Sequence, residues 1–430
     1  MLSTPDEKAR FGWCMYDWAN SAFATVILAA VLPVYFAGIA PTSGIPVFWS
    51  VTPLPATAFW GYTVSLSMAL VALVAPALGN LADRRGWRRG LLIAFCLLGS
   101  LATAALVFAG PGRYLLAATL FVLGNIGFAG GNIFYNAFLP TLATGPAADR
   151  LSARGYAYGY IGGGLMLALV FLMVQKHSLF GLPDPASATR LGFLLTGLWW
   201  LVFAVPTFAW VREKRTETSA IAPLRTPRDY LRTLRALRDY PDLLRFLLAF
   251  LLYNDGIQTI IAISAIFARE ELGLGTGTIF GCFLMIQFVA MPGALLFARL
   301  ANRYGTKPTV LVSLGLFLLI TIYASTMRTA TEFWLLGFAV ALVLGGSQAL
   351  SRSLFATMLP VGRSAEFFSF FAISAKFASI FGPLTFALLV DLTDSNRVAI
   401  SALTVFFLVG IALLSRVDVQ RGQAVAAASH

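Results

Sequence analysis

The chain has 430 residues, 58% of them apolar and only 12% charged, with a mean hydropathy of +0.79. Soluble domains carry about 25% charged residues, so this composition excludes an ordinary soluble fold and indicates a polytopic membrane protein. The net charge of +12 does not point to nucleic acid, because most Lys and Arg lie in alternate short loops between apolar runs.

The N-terminal MLSTPDEKAR is polar, and the apolar run after it is too long for a signal core, so no cleavable signal is expected. The first segment, about 13–36, contains MYDWANSAFAT. There Asp17, Asn20 and Ser21 stand at i, i+3 and i+4 and share one helical face, with Tyr16 beside them. Five more segments follow, at about 57–81, 89–109, 113–138, 153–174 and 190–211. Each is long enough to cross a bilayer.

The stretch 212–242 is polar and basic, and divides the chain into a first bundle, 1–211, and a second, 243–430. Within it Thr226 and Pro227 read as N-cap and first helical position of a basic amphipathic helix lying on the inner membrane surface. The second half supplies segments at about 243–268, 277–300, 308–327, 332–358, 366–390 and 396–415. The first of these carries DGIQT, in which Asp255, Gln258 and Thr259 repeat the spacing of Asp17, Asn20 and Ser21. The C-terminal AVAAASH reads as a disordered tail.

With the N-terminus inside, 22 Lys and Arg fall in cytoplasmic segments and 6 on the opposite side. That asymmetry predicts a multi-pass protein of the cell (inner) membrane with both termini in the cytoplasm. The halves also repeat each other. LADRRGWR at 81–88 matches LANRYGTK at 300–307, and FLP at 138–140 matches MLP at 358–360, offsets of 219 and 220.

Two six-helix halves in parallel repeat resemble the major facilitator superfamily. The resemblance becomes specific in GNLADRRGWRR, Gly79 to Arg89, which is similar to that superfamily's signature loop between helices 2 and 3. Trp87 stands where a basic residue is usual, and Asn302 replaces the acid in the second copy, so an equivalent second charge latch is not implied by the resemblance. YDWANSAF and LYNDGIQT resemble the unidentified major facilitator family, which includes the fungal vacuolar amino-acid effluxers. The resemblance implies an all-α fold of twelve transmembrane helices in two pseudo-symmetric bundles. It also implies a site between the halves near the midplane, and amino acids or similar zwitterions or anions as solutes.

Carboxylates inside membrane segments cost roughly 2.5–3.5 kcal/mol each on insertion scales, so Asp17 and Asp255 are candidate coupling residues. A low-dielectric setting favours the neutral acid, which suits binding and release of a proton, with sodium as the alternative ion. Arg352 and Lys376 are cations at membrane depth; they either receive a substrate carboxylate or neutralise the two aspartates. Gln348 lies one turn before Arg352, and Arg352 corresponds in the repeat to Asn132, on a face shared with Asn136. With Tyr16, Asn20, Tyr253 and Gln258 these residues form the candidate solute-binding set. Asp83, Arg84 and Arg88 are the gating candidates, Asp83 by capping a helix or pairing with an Arg at the inner surface.

No catalytic constellation is present: His177 and His430 are far apart, there is no P-loop, and Cys14, Cys96 and Cys282 sit in apolar segments. The chain reads as a non-enzymatic secondary transporter without a cofactor, working as a monomer among membrane lipids on a small-molecule substrate. A lipid or lysolipid flippase on the same fold is the alternative.

Overall fold

A computed structural model describes residues 4–47, 53–54, 56–213, 237–377, 381–393 and 395–428. The described residues are helical apart from turns and one isolated bridge, Ile45 with Leu54. Nine of their helices are long and apolar enough to cross a membrane, and the bent first segment makes a tenth. The expected linker helix falls on residues outside those described, which resume with a short turn at Leu237–Asp239.

In chain order the helices are α1 (Pro5–Ala22), α2 (Leu32–Ile39), α3 (Ala56–Arg85), α4 (Arg88–Ala105), α5 (Tyr114–Ala137), α6 (Leu139–Leu142), α7 (Pro146–Gln175) and α8 (Pro185–Trp210). The second half continues with α9 (Pro241–Glu270), α10 (Thr276–Tyr304), α11 (Thr306–Ala324), α12 (Ala330–Thr357), α13 (Ser364–Phe377), α14 (Phe381–Thr393), α15 (Asn396–Ala402), α16 (Thr404–Ser415) and α17 (Val419–Ala428). They form two compact units. One contains Met1–Ala75, Gly86–Tyr135 and Tyr158–Arg215; the other contains Pro76–Arg85, Asn136–Ala157 and Thr216–His430. The basic ends of α3 and α7, the end of α5 and all of α6 therefore belong to the second unit.

In the first unit, α1 starts at a capping box in which Thr4 Oγ1 accepts from the Glu7 N–H and Glu7 Oε2 from the Thr4 N–H, both at 3.2 Å. Past Ala22 the helix widens into a π-helix, Phe23–Ala30, and α2 leaves it at a 44° bend just ahead of Pro33. Small residues let neighbouring backbones meet α1. A methyl on Gly12 would lie 2.8 Å from the Pro206 carbonyl oxygen of α8, and one on Gly162 of α7 would overlap the Trp18 carbonyl. Thr207 of α8 adds a hydrogen bond to the Gly12 carbonyl at 2.6 Å.

In the second unit, α9 packs on α13 and α16, and α10 on α12. The Lys307 ammonium donates to the carbonyls of Ser415 and Val417 at 2.8 and 2.7 Å, satisfying acceptors at the end of α16. Beyond them the expected disordered tail is corrected: residues 419–428 form α17. Arg421 of α17 holds Asp242 through two hydrogen bonds, Gly422 packs closely on Met358, and Ala426 is buried. An Ala-rich segment of high helix propensity is thus fixed by one ion pair and a glycine contact that local composition does not announce.

Candidate functional site

The repeated aspartates occupy one position each in the two units, in different surroundings. In the first unit Asp17 is buried, and its Oδ2 accepts a 2.7 Å hydrogen bond from the Tyr135 hydroxyl of α5. Tyr135 is itself fixed between rings, stacked on Trp13 at 4.4 Å and on Tyr16 at 5.0 Å. The Trp13 indole N–H donates to the Tyr135 carbonyl at 2.9 Å. One turn along α1, Asn20 donates to Asn132 Oδ1 at 2.8 Å. Asp17, Asn20, Tyr16 and Asn132 are therefore brought together by α1 and α5. Ser21, on the same sequence face, turns instead to α7, where a methyl on Gly159 would lie 2.5 Å from its hydroxyl. The Tyr16 hydroxyl is buried and makes no hydrogen bond with the described residues.

Tyr135 was not among the residues singled out from sequence. Its signal is its place three residues after Asn132, on the same face of α5.

In the second unit Asp255 is 0% exposed, and neither carboxylate oxygen has a hydrogen-bond partner among the described residues. Thr259, one turn on, directs its hydroxyl to the Asp255 backbone carbonyl at 2.7 Å and not to the carboxylate. Across from both lies Gly382 of α14. A methyl there would overlap Thr259 Oγ1 and lie 3.0 Å from Asp255 Oδ1, so only glycine lets α14 seat against α9 at this level. Nearby, Asn254 reaches the Ala375 carbonyl of α13 at 3.5 Å.

The rest of the candidate set is dispersed within this unit. Tyr253 is buried and shares a 2.7 Å hydrogen bond with Ser351 of α12, a helix-packing contact. Gln258 and Gln348 are half-buried. Lys376 lies in α13, and its side chain is outside what the structure describes. Arg352 is 3% exposed, and its guanidinium donates to Ser152 Oγ and Ser152 O, both at 2.8 Å, and to Asn136 Oδ1 at 3.3 Å. Arg352 and Asn136 thus meet each other, where the C-terminal end of α5, the first turns of α7 and the last turns of α12 come together.

Of the gating candidates, Asp83 is buried at the basic end of α3. Its two oxygens accept from the N–H groups of Ala365 (3.2 Å) and Glu366 (2.9 Å) in the first turn of α13. A carboxylate on a helix N-terminus satisfies orphan donors and meets the positive end of the helix dipole. Gly79, one turn earlier, makes room for this: a methyl there would lie 2.7 Å from the Ala365 carbonyl oxygen. Arg84 is exposed. Arg88 is buried in the first unit, where its backbone N–H donates to Glu213 Oε1 at 3.1 Å, so Glu213 caps α4.

A helical membrane protein with repeated halves, one buried carboxylate in the same place in each, and a carboxylate-capped helix at its basic end has the build of a major facilitator transporter. Solved structures agree on the fold. The human organic anion transporter MFSD10 superposes with a TM-score of 0.75 over 96% of this chain and 100% of its own, at 17% identity. FucP in its outward conformation gives 0.71 over 97% and 99%, at 11% identity. The fold is therefore that of these transporters, and the family and the bacterial relative that follow show a multi-pass membrane transporter of the major facilitator superfamily. Residues 6–427 match the family described as "Vacuole effluxer Atg22 like", and the chain belongs to that family. An uncharacterized MFS-type transporter of Bacillus subtilis, YxiO, is 33% identical over 95% of this chain and 94% of its own length. Autophagy-related protein 22-1 of Penicillium rubens is 24% identical over 96% and 90%.

Proposed function

We propose that this transporter moves a small organic solute, an amino acid or similar zwitterion or anion, by proton-coupled alternating access. Its place is the inner membrane of the cell, with both termini in the cytoplasm, as the Lys and Arg asymmetry supports. The observation that carries the coupling is Asp255: a fully buried carboxylate in a membrane helix with no hydrogen-bond partner among the described residues. An ionised carboxylate left this way is strongly disfavoured, whereas a protonated one is tolerated, so a change in its hydration drives uptake or release of a proton. Asp17, with its tyrosine donor, serves as the partner acid that remains hydrogen-bonded through the cycle. Asn20, Asn132 and Tyr16 offer the polar edge for a zwitterion in the first unit. Gln258 and Gln348 do so in the second. The flippase alternative gains no support from the relatives described above.

The test is transport in proteoliposomes. A thermal-shift screen of amino acids first identifies a ligand. Asp255→Asn is then expected to abolish accumulation driven by a pH gradient while retaining exchange of labelled for unlabelled solute. Gradient-driven accumulation at the parent level in Asp255→Asn removes this residue from coupling.

A further inference from the structure

The basic end of the second unit carries a cluster that the Asp83 contact does not include. Asp149, in the first turn of α7, is 2% exposed and accepts hydrogen bonds from Ser353 Oγ of α12 and from Thr306 Oγ1 of α11, the latter at 2.6 Å. Next to it, Arg150 donates to Asn302 Oδ1 of α10 at 3.2 Å. One turn on, Ser152 donates to the Ala349 carbonyl at 2.7 Å and receives Arg352 Nε at 2.8 Å. The Arg352 guanidinium also lies 4.3 Å from the centre of the Tyr156 ring. Between these polar contacts Ala153, Ala298 and Ala349 form a buried cluster, so α7, α10 and α12 meet without bulk.

The repeat gives the cluster its meaning. Asp83 and Asn302 are equivalent positions, 219 residues apart. At the first, the acid stands on α3 and the helix start it caps belongs to α13. At the second, the signature-loop position has lost its acid, and the carboxylate comes from the opposite partner: Asp149 of α7 takes donors from the start of α11 and from α12. Arg352 adds a guanidinium that donates to Asn136 at the end of α5 and to Ser152 of α7. An arginine stays charged at any working pH, and burying it demands such acceptors. If the ends of α5 and α7 move away together, water can take the places of Ser152 and Asn136 as acceptors, so the contact has two satisfied states.

We propose that Asp149 and Arg352, with Ser152, Ser353 and Thr306, form a second inner latch of reversed polarity, and that Arg352 sets the conformational balance in place of anchoring solute. This rests on the alternating-access reading above. The test uses full-length protein in lipid nanodiscs with Cys14, Cys96 and Cys282 replaced by alanine. Spin labels go on the exposed positions Arg154→Cys of α7 and Tyr304→Cys of α10. The parent is expected to show one short distance. Asp149→Asn and Arg352→Gln should each add a longer component, raising its population at least about tenfold, which equals about 1.4 kcal/mol. Ser353→Ala and Thr306→Val, which remove one donor each and leave the charges in place, should do so to a smaller degree. They keep the test open if a charge variant fails to fold. Lengthening in Asp83→Asn with none in these four variants overturns the latch. An unchanged distance in Arg352→Gln with lost solute binding overturns it too and returns the arginine to the solute site. No lengthening in any variant, Asp83→Asn included, overturns the alternating-access reading and the latch with it.

Discussion

Asp17 and Asp255 occupy matching places in the two halves, with polar companions at the same i+3 and i+4 spacings, yet their carboxylates are treated in opposite ways. Asp17 meets a tyrosine hydroxyl held rigidly between Trp13 and Tyr16. Asp255 meets the bare backbone of Gly382 and a threonine whose hydroxyl is turned to the main chain. The repeat positions of the two partners explain this divergence. Tyr135 corresponds to Phe355, which has no hydroxyl to offer Asp255. The two halves therefore hold an acid at the same place with different neighbours, one hydrogen-bonded to a tyrosine and one without such a donor among the described residues.

The comparison makes its largest prediction at Asp17. Asp17→Ala removes the acceptor of Tyr135 and strands a buried hydroxyl, at about 3 kcal/mol, the upper end for a bond to a charged group. The detergent-solubilised protein should melt clearly lower, and Asp17→Ala combined with Tyr135→Phe should recover part of the loss. A double variant no more stable than Asp17→Ala alone would show that the tyrosine bond contributes little.

Gly382→Ala should come next. Its methyl overlaps Thr259 Oγ1, and overpacking of this kind costs about 1–3 kcal/mol. Because threonine is stiff at χ1 in a helix, relief should come from Thr259→Ala. A double-mutant cycle on melting temperature measures the coupling, and additive effects would remove the proposed steric link.

The smallest effect is expected from Asp255→Asn on stability. It removes a buried acid that makes no hydrogen bond to the described residues, so its melting temperature should equal or exceed that of the parent even as coupling is lost. A marked fall would mean that Asp255 has a structural partner after all, and the contrast between the two acids would collapse.

What the sequence determined by itself is whatever depends on local hydrophobicity and period. Apolar run length, the Lys and Arg asymmetry, the offset of 219 between LADRRGWR and LANRYGTK, and the two buried acids are all of that kind, and they sufficed for the membrane class and the fold. Helical spacing also placed Asp17 and Asn20 on one face, and both do turn to α5. The tertiary structure alone decided which side chain each polar group meets. Tyr135 lies 118 residues from Asp17, and Ser152 lies 200 residues from Arg352. Such pairings depend on the rotation and depth at which two helices pack, and these are set by small residues such as Gly79, Gly162 and Gly382 through contacts with backbones far away in the chain. For the same reason Asn302 reads from sequence only as a position without its acid, while the fold brings Asp149 of α7 to the Thr306 hydroxyl at the start of α11.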